Sequence, residues 1–469
     1  MHGNFYLGTL ESQKNNLTMS RNYTIALFGA GLLFSSCATK MEKNPGHTVI
    51  TRWQGDKQSA ISITYDDGSI NQFTVARPVM NRLGFPGTFY INTGKVNGSV
   101  KGKFIGRPPA EIIRETAKIK TNTENFFERA SLIGYTGIDE AVDYHSNAGS
   151  LFESGRITEA YELIDNAFAL VRTQPGPAIN EDVIQNKSTD STTWEDFERY
   201  VAEGHEIASH TITHPRLAVL DEANLLFELE QSKADISNFL GAKYTFSAEC
   251  PYGTENERVM EYAHQIYPAL RNRMPAPYLD ELNRSSRRQP GESEKEYVQW
   301  QRGALTNVGM DMMKSWVDTC LAHTNIWLVL VFHGIDGIGW EPRTGAELEE
   351  YFNYINEKED SLWVATFADV TKYIRERKST VLSSILQNDS IEVTISSDLD
   401  SEVYNVPLTL KTYVPRAWRT TVLKNKSKDE KEYPLSLSIQ NDALGPYVQY
   451  SVRPGEGNIL LAEQMETDE

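Results

Sequence analysis

The chain has 469 residues, of which 40% are hydrophobic and 23% charged, enough apolar material for a large core and two domains and too much for a disordered chain. A formal net charge of -18 and a pI near 5.1 argue against nucleic acid, anionic membrane surfaces and other polyanions, which are held mainly by Lys and Arg. Three cysteines, Cys37, Cys250 and Cys320, have neither zinc-knuckle nor thioredoxin-type spacing, so disulfides are not expected to organise the fold.

After Met19 a single basic residue, Arg21, precedes a short apolar run over 25–34 that ends in Ser35-Ser36-Cys37 and a polar stretch. The run is too short to span a bilayer. Small residues directly before a cysteine, after an apolar stretch, resemble a bacterial lipoprotein signal. That resemblance implies a leader and linker over 1–46, a lipid anchor at Cys37 as the chain's one membrane contact, and export to the periplasm or cell surface. An ordinary cleaved signal and a buried apolar segment are the other readings.

Beyond the leader, 60–65, 87–92, 206–209, 243–248, 326–332 and 362–366 read as short apolar or β-branched strands. Helical patterns lie between them, over 194–202, 221–240, 255–264, 310–322, 345–356 and 367–377, with Asp221 as an N-cap and Gly241 as a C-cap. Strands alternating with helices imply a parallel sheet covered on its faces, either a barrel or an open sheet. The rhythm breaks at about 97–193, a polar, partly helical stretch with one clear helix over 156–171 and a breaker at Gln174-Pro175-Gly176-Pro177, read as an insertion capping the sheet mouth. After Lys378 short alternating strands separated by turn residues predict a β-sandwich over 385–469. The expected division is therefore a leader at 1–46, an α/β domain at 47–378 and the sandwich.

Four motifs follow strands. The first strand ends in Asp66-Asp67-Gly68, where adjacent carboxylates point in different directions, so one can bind a metal while the other takes a proton. Taken alone, the pair reads as a turn cap. Gly204 to Pro215 reads GHEIASHTITHP, and Pro215 biases His214 toward an extended conformation, which favours a loop over a zincin-type helix for His210 and His214. Two imidazoles and one carboxylate make a three-ligand site with positions left for water and substrate. His205, before its strand, reads as structural. Glu249-Cys250-Pro251-Tyr252-Gly253 forms a turn able to aim an N–H at a carbonyl oxygen, and His333-Gly334 closes the apolar strand IWLVLVF. In a parallel α/β architecture all four strand ends converge on one mouth.

TYDDG at 64–68, SHTITH at 209–214, PYG at 251–253 and LVLVFHG at 328–334 stand in the order and rough spacing of the NodB-homology polysaccharide deacetylases, carbohydrate esterase family 4, which the chain resembles over about 51–378 outside the insertion. The resemblance implies a distorted (β/α) barrel with fewer than eight strands. It also implies a divalent metal, zinc or another transition ion, on Asp67, His210 and His214, with Asp66 as base, His333 as general acid and the Tyr252 N–H as oxyanion donor. The implied partner is an acetylated carbohydrate, carrying either an O-acetyl ester, as on xylan, or an N-acetyl group on an aminosugar polymer.

Two departures stand out. Glu249 occupies the place of the family's arginine, which orients and acidifies the base, so another cation, Arg287, Arg288 or Arg302, is expected to fill in. The family's Asp-Trp pair has no clear counterpart, with Asp311 and Trp316, or Trp300, as candidates. Trp340, Tyr135 and Tyr144 are candidate sugar-stacking rings or core residues. A non-catalytic glycan-binding lipoprotein, favoured by Glu249, and a C–N hydrolase of a small amide are the competing readings. The sandwich reads as support for the barrel, or as a carbohydrate-binding surface.

Overall fold

The computed structural model describes residues 44–174, 192–253, 256–275, 278–425, 435–454 and 457–463. The leader, Cys37 and the breaker at 175–177 lie outside the described residues. The strands up to residue 364 are β1 (Thr48–Ile50), β2 (Ser59–Tyr65), β3 (Gly87–Ile91), β4 (Glu206–Ser209), β5 (Ser247–Ala248), β6 (Ala269–Leu270), β7 (Asp280–Leu282), β8 (Val298–Gly303), β9 (Ile326–Phe332) and β10 (Leu362–Val364). The helices are α1 (Arg77–Arg82), α2 (Pro109–Thr116), α3 (Phe126–Ile133), α4 (Ala141–Glu153), α5 (Ile157–Val171), α6 (Trp194–Ala202), α7 (Glu222–Leu240), α8 (Glu257–Ile266), α9 (Met310–Ala322), α10 (Gly345–Asn356) and α11 (Phe367–Ser379).

One sheet runs β6-β5-β4-β3-β2-β9-β8-β7, with parallel pairings throughout. The central strand β2 pairs with β9 along one edge; on the other, Ile63–Tyr65 pair with β3 and Ser59–Ile61 with β10. Both β2 and β9 are buried at every position, the environment that an unbroken apolar run such as IWLVLVF requires. The end strands β6 and β7 do not pair. Instead Gln299 and Gln301 of β8 donate to the Arg271 carbonyl at 3.1 and 2.6 Å, and Gln301 also reaches Asn283 Oδ1 at 2.9 Å, so side chains bridge the seam. The result is the expected distorted (β/α) barrel.

Helix ends follow the local sequence. Thr193 with Asp196 and Thr344 with Glu347 form reciprocal capping boxes, Asp221 caps α7, and Gly241 ends it at φ 103. The strand expected over 243–248 shortens to Ser247–Ala248 because Ala242–Tyr244 winds into a 3₁₀ turn. Of these strands, β1, β6, β7 and β8 were not foreseen.

Helices α2 to α5 form the insertion and enclose a core of their own, including Ile112, Phe126, Leu132, Ala148, Ile164 and Phe168. Val219, from the loop after His214, belongs to that core and ties the insertion to the barrel mouth.

The C-terminal strands are β11 (Val381–Gln387), β12 (Ser390–Ser396), β13 (Leu408–Tyr413), β14 (Thr420–Asn425), β15 (Leu435–Ser438), β16 (Gln440–Asp442), β17 (Gly445–Val452) and β18 (Asn458–Glu463). They form antiparallel sheets ordered β1-β13-β17-β16 and β11-β12-β18-β14-β15, around a core of Ile391, Val393, Leu410, Val448 and Leu461. β1 therefore pairs with this sandwich rather than with the barrel.

Candidate active site

Because the barrel strands are parallel, the residues that follow β2, β4, β5, β6 and β9 meet at one mouth. Asp67, His210 and His214 gather there with one ligand atom each, all within 4.8 Å of one another. Asp67 Oδ1 lies 3.7 Å from His210 Nε2 and 3.3 Å from His214 Nε2. His210 Nδ1 donates to the Glu249 carbonyl at 3.0 Å, which fixes the tautomer and leaves Nε2 facing Asp67. Burial pushes both histidines down, His214 to about 4, so both present neutral imidazoles, the form that ligates. Burial and then Asp66 push the Asp67 carboxyl up, against the pull of His333, Lys95 and Arg271. Two neutral imidazoles and one carboxylate, with their ligand atoms this close together, fit a divalent metal.

The residue next to Asp67 has its cation already. Arg271, fully buried, donates to both Asp66 oxygens at 2.7 and 2.6 Å and to Thr64 Oγ1 at 2.6 Å. Its Nε donates to Glu249 Oε2 at 3.0 Å, and its NH2 lies 2.8 Å from Glu249 Oε1. Burial alone would raise the Asp66 carboxyl, but Arg271, then His333 and His210, outweigh it and hold the group far below the usual carboxylate range. Burial pushes Glu249 the other way, up to about 7, against the pull of Arg271. The cation supporting Asp66 is therefore Arg271, one strand along from the expected position, and none of Arg287, Arg288 and Arg302. Arg288 instead forms a two-bond pair with Asp280, and Arg302 stacks over Trp300.

His333 Nε2 stands 3.4 Å from Asp66 Oδ2, and burial lowers its pKa. The ring it meets is Trp340, with centroids 4.6 Å apart, whereas Trp316 and Trp300 are packed in the core. Buried Gln72 holds the two strand ends together, donating to the Asp66 carbonyl at 2.5 Å and the His333 carbonyl at 2.8 Å. It sits in a π-helical turn, Gln72–Ala76, a distortion common beside functional sites. Backbone strain gathers here too. Asp67, Thr211, His214 and Tyr252 all have positive φ, at 75, 67, 63 and 63°. His214 is thus left-handed, where Pro215 had suggested an extended backbone.

The ring of Tyr252 lies 4.8 Å from that of His214 and is 40% exposed. Arg216 covers it at 4.5 Å and pairs with Glu153 of the insertion at 2.6 Å. His145, also from the insertion, contacts the Ala130 carbonyl through Nδ1 and accepts the Arg216 N–H at Nε2. His205 accepts from the Gly87 amide and contacts Asn81 Oδ1, away from the mouth, as a structural residue would. Arg271, Gln72, Arg216 and His145 were not singled out from sequence; the strand before Arg271 has two residues, too few to show a period.

The polysaccharide deacetylase family model matches residues 177–267. A gellan lyase of Bacillus sp is 27% identical over 254 residues, 50% of this chain and 10% of that protein, so the chain spans about a tenth of the curated relative's length. Similar solved structures include the CE4 domain of a multidomain xylanase from the hindgut metagenome of Trinervitermes trinervoides, with TM-score 0.31 and 12% identity over 67% of this chain and 89% of that one. Another is the family 4 carbohydrate esterase of Streptomyces lividans, with TM-score 0.30 and 11% identity over 66% and 92%. A third is a peptidoglycan deacetylase of Bacillus subtilis, with TM-score 0.29 and 12% identity over 68% and 92%. Within residues 177–267, then, the chain is similar to the polysaccharide deacetylase family, and that stretch holds His210, His214 and Tyr252.

Proposed function

We propose that this chain removes acetyl groups from a glycan, using a divalent metal held by Asp67, His210 and His214. One observation carries the reading: the three candidate ligands adjoin an ionised, buried Asp66 that lies 3.4 Å from His333. The donor set suits zinc. When bound, the metal supplies Lewis acidity toward the acetyl carbonyl and water.

The protein's own groups do the rest. Asp66, fixed by Arg271, accepts the proton of the attacking water. His333 Nε2, 3.4 Å from Asp66 Oδ2, stands where it can receive that proton. His333 then delivers it to the departing alcohol or amine, so one proton crosses from water to leaving group through two side chains. The Tyr252 N–H is assigned to the oxyanion. The sequence feature that favoured a non-catalytic glycan-binding protein, Glu249, loses its force once Arg271 supplies the missing cation. Export with a lipid anchor at Cys37 belongs to the same reading, and mass analysis of the mature N-terminus tests it.

The functional test is acetate release by the purified protein from acetylated xylan and from chitin oligomers, before and after chelation and zinc addition. Zinc-dependent release from one of them supports the reading and identifies the linkage. Zinc binding with no release from any acetylated glycan would overturn it.

A further inference from the structure

The segment that follows His214 is bound to the insertion at three points. The Arg216 amide donates to His145 Nε2 of α4 at 3.0 Å, Val219 belongs to the insertion core, and the Asp221 amide donates to Ser131 Oγ of α3 at 2.9 Å. The Arg216 side chain reaches in both directions. Its guanidinium pairs at 2.6 Å with Glu153, the last residue of α4, and lies over the Tyr252 ring with 4.5 Å between the guanidinium carbon and the ring centre. The Tyr252 ring in turn meets that of His214, with centroids 4.8 Å apart. Glu153, Arg216, Tyr252 and His214 thus form one run of contacts from the insertion to the barrel mouth.

This run is held under constraint. His214 and Tyr252 both have a φ of 63°, a left-handed backbone that residues other than glycine keep only where their surroundings enforce it. Arg216 is wedged against α4, where a Cβ at Gly149 would stand 2.0 Å from its Cδ, so the helix comes as close as a residue without a side chain allows. The guanidinium keeps its place over the ring although Arg216 Nε is buried there with no hydrogen-bond partner among the described residues.

We propose that Arg216 is a positioning residue through which the insertion holds the Tyr252 amide on the oxyanion. The inference rests on the deacetylase reading above. A planar cation over an aromatic face is attracted to the ring and fixes its tilt, and Glu153 fixes the cation. A ring pinned by both Arg216 and His214 limits the rotation of a residue whose N–H must point at the carbonyl oxygen as charge builds there. That donor matters in the transition state and little in substrate binding, so its misplacement shows in kcat rather than in KM.

The test is kcat and KM of the zinc-loaded protein on 4-nitrophenyl acetate and on an acetylated tetrasaccharide. The proteins compared are wild type, Glu153→Gln, Arg216→Met, Tyr252→Ala and the Arg216→Met/Tyr252→Ala double variant, with melting temperature and zinc stoichiometry as controls. Arg216→Met is expected to lower kcat about thirtyfold on both substrates, less than the roughly hundredfold cost of losing an oxyanion donor outright, with KM within about twofold. Glu153→Gln, which leaves Arg216 in place without its carboxylate, is expected to lower kcat about fivefold. The double variant is expected to fall no further than Tyr252→Ala, because Arg216 acts through that ring. Losses that multiply in the double variant, or an unchanged kcat in Arg216→Met with its fold intact, would overturn the proposal. If Arg216→Met melts below the assay temperature, an unchanged kcat in Glu153→Gln overturns it instead. Absence of acetate release from any glycan by the wild type would sink the deacetylase reading alone, since the aryl ester still reports on Arg216.

Discussion

Asp66 and Glu249 share one guanidinium, and all three groups are almost completely shielded from water. Taking away one side of a buried ion pair costs about 3–5 kcal/mol, because the remaining charge has no partner. Arg271→Met is therefore expected to lose about that much unfolding free energy in urea and to fall below a hundredth of wild-type kcat. Glu249 behaves differently. Its folded pKa lies above the ordinary 4.5, up to about 7, through burial, so the native state holds this proton more tightly than the unfolded one. The contribution is complete below pH 4.5 and is lost as pH rises through 7. Glu249→Gln cannot lose it, so the variant's stability relative to wild type is expected to rise between pH 5 and pH 8, as urea titrations at the two pH values would measure. Much of this site was legible in the residues. Asp67, His210 and His214 each follow a strand whose pattern is plain, and parallel pairing brings them together. Arg271 was hidden because β6 is only Ala269–Leu270, and an arginine after so short a strand looks like any surface cation.

At the scale of elements, the insertion reaches the site through α4. His145 on this helix contacts the Ala130 carbonyl and accepts from the Arg216 N–H, so a proton on Nε2 would displace the loop that follows His214. Burial accordingly holds it down, at about 4 rather than 6.5. A histidine lowered in the fold lets the unfolded chain bind protons first, so its contribution is complete above pH 6.5 and fades as pH falls toward 4, by roughly 3 kcal/mol. His145→Gln is expected to flatten the stability profile over that window, with melting temperatures at pH 4.5 and 7 as the check. An equal slope in the variant would show that His145 does not set this pH dependence. Helices α6, α9 and α10 lie where sequence put them, since each has a readable cap or apolar stripe. By contrast β7 and β8 carry polar residues such as Gln299 and Gln301, whose side chains close the barrel seam, and that breaks the apolar pattern by which strands are recognised.

On the scale of the whole molecule, the barrel and the sandwich share structure. Tyr373 of α11 belongs to the sandwich core and donates to the Thr51 carbonyl at 3.0 Å, Glu376 accepts from the Val406 amide at 3.0 Å, and β1 crosses over to pair with β13. Removing the sandwich would uncover α11 and strand β1, so calorimetry is expected to give a single unfolding transition, and two separated transitions would show that the halves are independent. Chemistry at the barrel mouth is tested by comparing zinc-loaded wild type with Asp66→Asn. The measurement is zinc stoichiometry together with acetate released from an acetylated oligosaccharide. One zinc per chain is expected in both proteins and acetate from the wild type alone, whereas equal release by the variant, or release by metal-free wild type, would rule out Asp66 as the base or the metal as a participant.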